Sequence, residues 1–159
     1  MLITVAAIGR LKDGPERELC ERYLSRASAA GRALGLTFAT RELAESRATS
    51  PAARKTQEAT ALLDALPAGA AVIALDEGGR SVDSRSLAER VAHWRDDGIG
   101  TLAFVIGGPD GHGQALLDRA SLRLAFGAMT WPHQLVRIMV FEQLYRTVTI
   151  LSGHPYHRD

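Results

Sequence analysis

The feature that most constrains the fold of this chain is a series of short apolar runs separated by longer segments with helix signals. Most runs are apolar at every position, as is typical of strands in a parallel sheet covered on both faces. They lie at residues 2–9, within 67–79, where a turn stands on either side of the run, at 101–108 and at 121–127, and a more alternating strand is predicted at 34–43. This order predicts an α/β fold with a mostly parallel sheet of five to six strands and helices on both faces. Since no linker or repeat divides the chain, a single domain over residues 1–159 is expected.

Helix and turn signals fill the segments between the runs. Pro15 can open a helix, and Ser50 before Pro51 combines an N-cap with proline at the first helical position. Asp83 or Ser84 can cap a later helix. A Gly-Gly turn is predicted after the third strand, at residues 78–79. The predicted helices cover residues 15–30, 51–66, 84–96, 114–120 and 134–151.

Charge and composition narrow the class of protein. The formal net charge is +1, so a broad basic face is not expected, and any contact with nucleic acid must use a local patch or shape. The single cysteine, Cys20, rules out a disulfide framework within one chain and is expected in the core. No apolar run reaches the length of a membrane span, so a soluble, cytoplasmic protein without membrane contact is expected.

Three loops are expected to form a site. Ligands bind beyond the carboxyl ends of strands in open parallel sheets. The loops Leu75–Gly79, Gly107–Gly113 and Gly127–His133 leave such ends, and all three lie in the second half of the chain. None carries the signature of a P-loop or of a dinucleotide-binding fingerprint.

Two of these loops have alternative interpretations. In "IGGPDG" (106–111), Gly107 and Gly108 allow close approach of a ligand, but Pro-Asp-Gly is also a plain tight turn. In "FGAMTWPHQ" (126–134), composition alone favours a packed loop covering the core. Binding of a flat heteroaromatic ring through main-chain amides is the alternative.

The last predicted helix is apolar on more than one face. Leu135, Ile138 and Met139 form one stripe, and the other runs from Val136 to Val148. A helix buried on two sides needs two neighbours, so a symmetric dimer is favoured over a monomer. The stripes are interrupted by three charged residues, for which an internal arginine–glutamate pair is the simplest account: Arg137, Glu142 and Arg146.

The terminal segment "HPYHR" (154–158) concentrates polar and titratable groups where disorder is usual. A solvated end is one interpretation, and a metal site is disfavoured because no third or fourth ligand accompanies the histidines. The other interpretation is a short ordered wall close to the helix end at Gly153. Tyr156 could then stack on a base, Arg158 could hold a phosphate, and His154 or His157 could accept a proton, a set that suits single-stranded or flipped-out RNA.

The motifs together resemble one known family. "IGGPDG", "TWPHQLVR" leading into "EQLYR", and the terminal "HPYHR", in this order, are similar to those of the ribosomal RNA large-subunit methyltransferase H family of the SPOUT superfamily. The resemblance extends over essentially the whole chain.

The resemblance implies a fold and an activity. The fold would be a knotted SPOUT methyltransferase domain, with a C-terminal trefoil knot and the cofactor site in about residues 70–159. S-adenosylmethionine would be the methyl donor, and a homodimer would methylate N3 of a pseudouridine in helix 69 of 23S rRNA within the 70S ribosome. No metal is implied. A non-catalytic ribosome- or RNA-binding protein of the same fold is the alternative, and a phosphate-ester hydrolase using His154 and His157 is a further one.

The resemblance also assigns residues. The donor would contact Leu75, Gly107, Gly108, Gly127, Ala128, Met129, Thr130, Trp131 and Pro132. The tail residues His154, Tyr156, His157 and Arg158 would serve RNA binding and catalysis, and Arg137 would hold a phosphate or orient the tail. The imide N3 must lose its proton before it attacks, and His157, which adjoins Arg158, is the preferred base over His154. The tail of one subunit is hypothesised to complete the donor pocket of the other.

Overall fold

The computed structural model describes residues 1–158 as a five-stranded parallel sheet with helices on both faces. The strands are β1 (Leu2–Ile8), β2 (Thr37–Leu43), β3 (Ala71–Ser81), β4 (Thr101–Ile106) and β5 (Leu122–Ala125), in the spatial order β2-β1-β4-β3-β5. The helices are α1 (Pro15–Gly31), α2 (Pro51–Asp64), α3 (Ser84–Asp96), α4 (Gln114–Arg119) and α5 (His133–Leu151). The predicted α/β architecture and parallel sheet are confirmed.

Two apolar layers form the core, one on each face of the sheet. One joins the sheet to α1, α3 and α5, and contains Phe104, Val91 and Leu144. The other joins it to α2 and α4 through Leu62 and Leu116. Strands β1 and β4 and the first half of β3, residues 71–75, are therefore covered on both sides, which is why these stretches are apolar at nearly every position. Strand β2 lies at an edge and is partly exposed.

Local signals positioned the helices as predicted. The Ser50 hydroxyl accepts a hydrogen bond from the Ala53 amide at 3.2 Å, and Asp83, not Ser84, caps α3 through the Ser86 amide at 2.8 Å. Gly153 follows the end of α5 with φ +67°, the left-handed conformation that stops a helix. Among residues 1–158, no helix combines the length and the apolar character needed to cross a membrane.

The predicted Gly-Gly turn after the third strand is wrong. Strand β3 continues to Ser81, and its ladder with β5 shifts register between Leu75 and Arg80. A Cβ atom on Gly79 would lie 2.7 Å from the carbonyl carbon of Arg123. This glycine therefore lets two strands approach closely, a role that tertiary contact and not local turn chemistry imposes.

Candidate donor cleft and terminal segment

The three loops expected at the carboxyl edge of the sheet meet around one cleft of about 340 Å³. Its walls come from the end of β3, the loop after β4 and the loop after β5, with Lys55 of α2 and His133 of α5 at the margin. Seven of the nine expected donor contacts line it: Leu75, Gly107, Gly108, Gly127, Met129, Thr130 and Trp131. Ala128 and Pro132 belong to the same loop but are not among the lining residues.

The glycine loop after β4 is packed too tightly for side chains at two positions. A Cβ atom on Gly108 would lie 2.8 Å from Glu58 Oε2, and one on Gly107 would lie 3.1 Å from the carbonyl carbon of Gly111. The Gly111 amide donates to the Gly108 carbonyl at 3.0 Å, so the segment is indeed a tight turn. Since the same turn lines the cleft, the turn and the ligand wall are one structure.

Helix α2 braces this turn from behind. Arg54 forms a bidentate pair with Asp110, with Nε and Oδ2 2.6 Å apart, and this hydrogen bond lowers the pKa of Asp110. Glu58 is 4% exposed and accepts a hydrogen bond from the Ser46 amide at 2.9 Å. A braced turn holds its main chain at a fixed place, as a preformed binding site requires.

The loop after β5 does not cover the core, contrary to the interpretation that composition favoured. Met129 is 71% exposed and Trp131 41%. The loop is held by the Thr130 hydroxyl, which donates to Glu77 Oε2 at 2.9 Å, and by the Trp131 indole, which donates to the Phe126 carbonyl at 3.1 Å. Its apolar side chains are therefore available at the cleft for a flat ring or a partner.

Negative charge lies on the β3 side of the cleft. Burial favours the neutral form of Asp76, but hydrogen bonds from Arg123 and the Gly78 amide outweigh it, so the pKa of Asp76 lies below its usual value. Its Oδ2 lies 2.6 Å from Arg123 Nη2. Asp76 is therefore ionised at neutral pH but paired with Arg123, which also lines the cleft, whereas Glu77 accepts the Thr130 hydroxyl and offers a carboxylate to a cationic group.

His112 is a lining residue that the sequence analysis did not single out. It is 8% exposed, and its Nε2 lies 3.0 Å from the Leu75 carbonyl oxygen. Its Nδ1 is buried with no hydrogen-bond partner within residues 1–158. The only signal in the sequence was its place in "GPDGHG", the loop already assigned to the site.

The terminal segment is ordered against α5. The His154 amide donates to the Thr149 carbonyl at 2.9 Å, and the Tyr156 hydroxyl donates to Glu142 Oε1 at 3.1 Å. The Tyr156 ring packs against Tyr145 with centroids 4.7 Å apart. Burial is the largest influence on Tyr156 and raises its pKa, so the phenol stays protonated. Arg158 is exposed beyond this anchor.

Both tail histidines use Nδ1 as an acceptor within the protein. His154 Nδ1 accepts from the Tyr156 amide at 3.2 Å, and His157 Nδ1 lies 3.3 Å from Arg146 Nη1, a group that can only donate. Each neutral ring therefore carries its proton on Nε2. A histidine that is to accept a substrate proton must first exchange its contact at Nδ1.

The tail does not line the donor cleft of its own chain. His157 lines a second cleft of about 510 Å³ beside the start of α3. The two clefts share Leu124 and Phe126, which separate them. A single chain therefore places the tail next to the donor cleft but not in it.

Arg137 does not occupy a position from which it could hold RNA. It is 2% exposed, and its Nη2 donates to the Ile8 and Gly9 carbonyls at 2.6 and 2.7 Å. Its Nη1 pairs with Glu42 Oε1 at 2.9 Å. The structure therefore does not support the expected phosphate contact, because the guanidinium is buried and already bonded to groups of the protein. Glu142 and Arg146 form the second ion pair of the helix, in line with the expectation of internal pairing.

The described residues contain no group of three or more His, Cys, Asp and Glu side chains arranged to hold a metal ion. His154 and His157, the pair for which metal binding was considered, have different partners in the tail.

Comparison with known proteins gives matches along the whole chain. The family described as "Predicted SPOUT methyltransferase" matches residues 1–157. "Ribosomal RNA large subunit methyltransferase H" from Chelativorans sp. strain BNC1 is 54% identical over 99% of this chain and 91% of its own length. Proteins of the same name from Bradyrhizobium sp. strain BTAi1 and Brucella anthropi are 53% and 54% identical, over 99% and 100% of their own lengths.

A solved structure is a weaker match. The SpoU methyltransferase AviRb from Streptomyces viridochromogenes in complex with AdoMet is 13% identical to this chain, with a TM-score of 0.41. The alignment covers 90% of this chain and 56% of that one.

Proposed function

Since the chain belongs to the SPOUT methyltransferase family, we propose that it transfers a methyl group from S-adenosylmethionine to ribosomal RNA of the large subunit. The observation that carries the proposal is the cleft built from the three carboxyl-edge loops, in a chain more than half identical to proteins named for this activity. An enzyme of this kind needs a donor site and an acceptor wall, and the two parts can be assigned separately.

The donor cleft has the chemistry that S-adenosylmethionine requires. When bound, this donor supplies an electrophilic methyl group on a positively charged sulfur. The volume of about 340 Å³ is in the range of small-molecule sites. The glycine turn permits close approach of main-chain groups, and exposed Met129 and Trp131 offer apolar surface to an adenine ring. Glu77 offers negative charge to a cation, since Asp76 is already paired with Arg123.

The acceptor is proposed to be N3 of a pseudouridine in helix 69 of 23S rRNA. This nitrogen carries a proton and is a poor nucleophile until the proton leaves. His157 is proposed as the acceptor of that proton, by exchanging its contact with Arg146 for the imide N–H, and His154 is the second choice. Exposed Arg158 can hold a phosphate, and the main acceleration comes from positioning the two partners.

The intact 70S ribosome is proposed as the substrate, rather than free RNA. The net charge of +1 does not suit a protein that tracks RNA through its backbone alone. Recognition through a few local contacts of the tail and through the shape of the assembled particle agrees better with this charge.

A homodimer is proposed to complete the site. Within one chain the tail lines a cleft next to the donor cleft, so a second chain can bring its tail to the donor. The exposed or half-buried side chains of Trp131, Leu135, Ile138 and Met139 give the apolar surface that a partner would cover. The C-terminal knot, in about residues 70–159, is likewise proposed from family membership.

The shared site can be tested by mixing two inactive variants. Gly108→Trp blocks the donor turn, and His157→Ala removes the proposed base. If each site combines the cleft of one chain with the tail of the other, heterodimers contain one intact site, and the mixture regains about a quarter of wild-type activity. Absence of recovery, with heterodimers demonstrated by mass, would contradict the shared site.

The activity itself is tested on ribosomes from cells that lack the gene. We expect the purified protein with labelled S-adenosylmethionine to add one methyl group to 23S rRNA, located by mass spectrometry on a pseudouridine. A methyl group on another base would support methyl transfer to ribosomal RNA but would contradict the proposed acceptor. Binding of ribosomes without methyl transfer would support a non-catalytic factor, and phosphate-ester cleavage without the donor would support a hydrolase.

A further inference from the structure

One imidazole at the donor cleft has no part in the proposed chemistry. His112 lines the cleft and is almost completely buried. Its Nε2 faces the Leu75 carbonyl at 3.0 Å, and because a carbonyl oxygen can only accept, Nε2 carries a proton. The ring therefore joins the end of β3 to the loop after β4.

The carbonyl that His112 holds lies where the sheet loses its regular pairing. The ladder between β3 and β5 shifts register after Leu75 and resumes at Arg80. A buried carbonyl at such a break needs a donor from outside the ladder. His112 supplies one, and so it fixes the main chain at a position that lines the cleft.

The same ring occupies the space above the glycine turn. A Cβ atom on Gly107 would lie 3.2 Å from His112 Nδ1, closer than ordinary van der Waals contact. The ring is thus packed against one wall of the cleft while it is hydrogen-bonded to another. Loss of the ring would free both walls together.

We infer that His112 is a positioning residue: its Nε2–H and its ring fix the spacing between Leu75 and the glycine turn, and this spacing sets the affinity of the cleft for the adenosyl donor. The inference rests on the proposed function, because it needs the cleft to bind S-adenosylmethionine. His112 contacts no reacting atom in this inference and acts only through the shape of the cleft.

The surroundings of the ring favour the neutral form. Burial is the largest influence and lowers the pKa of His112 below its ordinary value, and Lys55 acts in the same direction. Asp76 and the carbonyls of Leu75 and Val105 act in the opposite direction but do not outweigh burial. The ring is therefore neutral at neutral pH, and in this form its Nε2–H donates to the Leu75 carbonyl.

The test is the affinity for S-adenosylmethionine, measured by calorimetry on the full-length protein at about pH 7.5, together with the thermal midpoint of each variant. His112→Gln keeps an N–H donor, and His112→Leu removes it. His93→Gln is the matched control, because His93 is exposed on α3, away from the cleft, and its Nε2 lies 3.2 Å from Asp97 Oδ2.

We expect His93→Gln to bind the donor as the wild type does, His112→Gln to bind within about threefold of the wild type, and His112→Leu to bind about tenfold more weakly. A folded leucine variant with wild-type affinity overturns the inference, and so does a glutamine variant that binds as weakly as the leucine variant. If the leucine variant does not fold, the glutamine variant decides: affinity within about threefold of the wild type supports the inference, and a loss beyond about tenfold overturns it. A wild type that binds no donor at pH 7.5 contradicts the proposed function instead.

Discussion

The Tyr156 hydroxyl donates a hydrogen bond to Glu142 Oε1, at 3.1 Å, and so ties the terminal segment to the middle of α5. Arg146 completes the unit, because it pairs with Glu142 and lies over the Tyr156 ring, 5.0 Å from its centroid. The tail therefore owes its order to contacts with the last helix, through these side chains and through the bond of the His154 amide to the Thr149 carbonyl, and not to secondary structure of its own. This relationship makes it possible to separate anchoring of the tail from its chemistry.

Tyr156→Phe and Tyr156→Ala should differ in a graded way. The phenylalanine variant loses the hydroxyl's bonds with Glu142 and Tyr23, worth about 1 kcal/mol each, and keeps the packing on Tyr145 and Arg146. The alanine variant loses both and should free the tail. We expect carboxypeptidase to digest the alanine variant much faster than the wild type, and the phenylalanine variant at an intermediate rate. Equal rates for all three would show that this anchor does not order the tail.

Removal of residues 154–159 should abolish methylation and leave the fold intact. Helix α5 ends at Leu151, so the shortened chain keeps the whole helix and its core contacts. We expect methylation of ribosomes to fall at least a hundredfold, the usual effect of losing a general base together with substrate contacts. Circular dichroism should show a thermal midpoint within a few degrees of the wild type. A shortened protein that methylates at the normal rate would exclude any catalytic role for the tail.

Gly108→Ala should harm both stability and donor binding. Its Cβ atom would lie 2.8 Å from Glu58 Oε2, a buried carboxylate that cannot move away freely. We expect urea unfolding to show a loss of about 1–3 kcal/mol and calorimetry to show weaker binding of S-adenosylmethionine. Gly100→Ala is the control, because a Cβ atom there meets nothing within 4 Å, and its stability should change by less than about 0.5 kcal/mol. Similar losses in both variants would contradict the steric account.

Replacement of Arg137 should act on stability rather than on RNA binding. Arg137→Met leaves the Ile8 and Gly9 carbonyls without this donor and takes from Glu42 its nearest cation, while the Leu11 amide and Arg17 remain. We expect a loss of about 3 kcal/mol in the free energy of unfolding. Adding Glu42→Gln should return part of it, since a carboxylate that has lost its nearest cation is removed. An unchanged stability together with weakened ribosome binding would instead support the phosphate contact expected from the sequence.

The fold was predictable because its determinants are local or periodic. Apolar runs covered on both faces indicated β1, β3 and β4, and Ser50 indicated the start of α2. The meeting of three loops also followed, because carboxyl ends of parallel strands share one edge. The errors have the opposite character. The role of Gly79 depends on Arg123, and the burial of Arg137 depends on Ile8 and Gly9, which are distant in the sequence.

The sequence by itself determined the order of strands and helices, the edge at which a site forms and, through its motifs, the family. Only the tertiary structure decided that the tail packs on α5 beside the donor cleft, that Arg137 is buried and hydrogen-bonded to the Ile8 carbonyl, and that His112 joins two walls of the cleft. The physical reason is that periodicity and capping act over a few residues. A buried hydrogen bond is decided by whichever polar group the folded chain brings to it, whatever their separation in sequence.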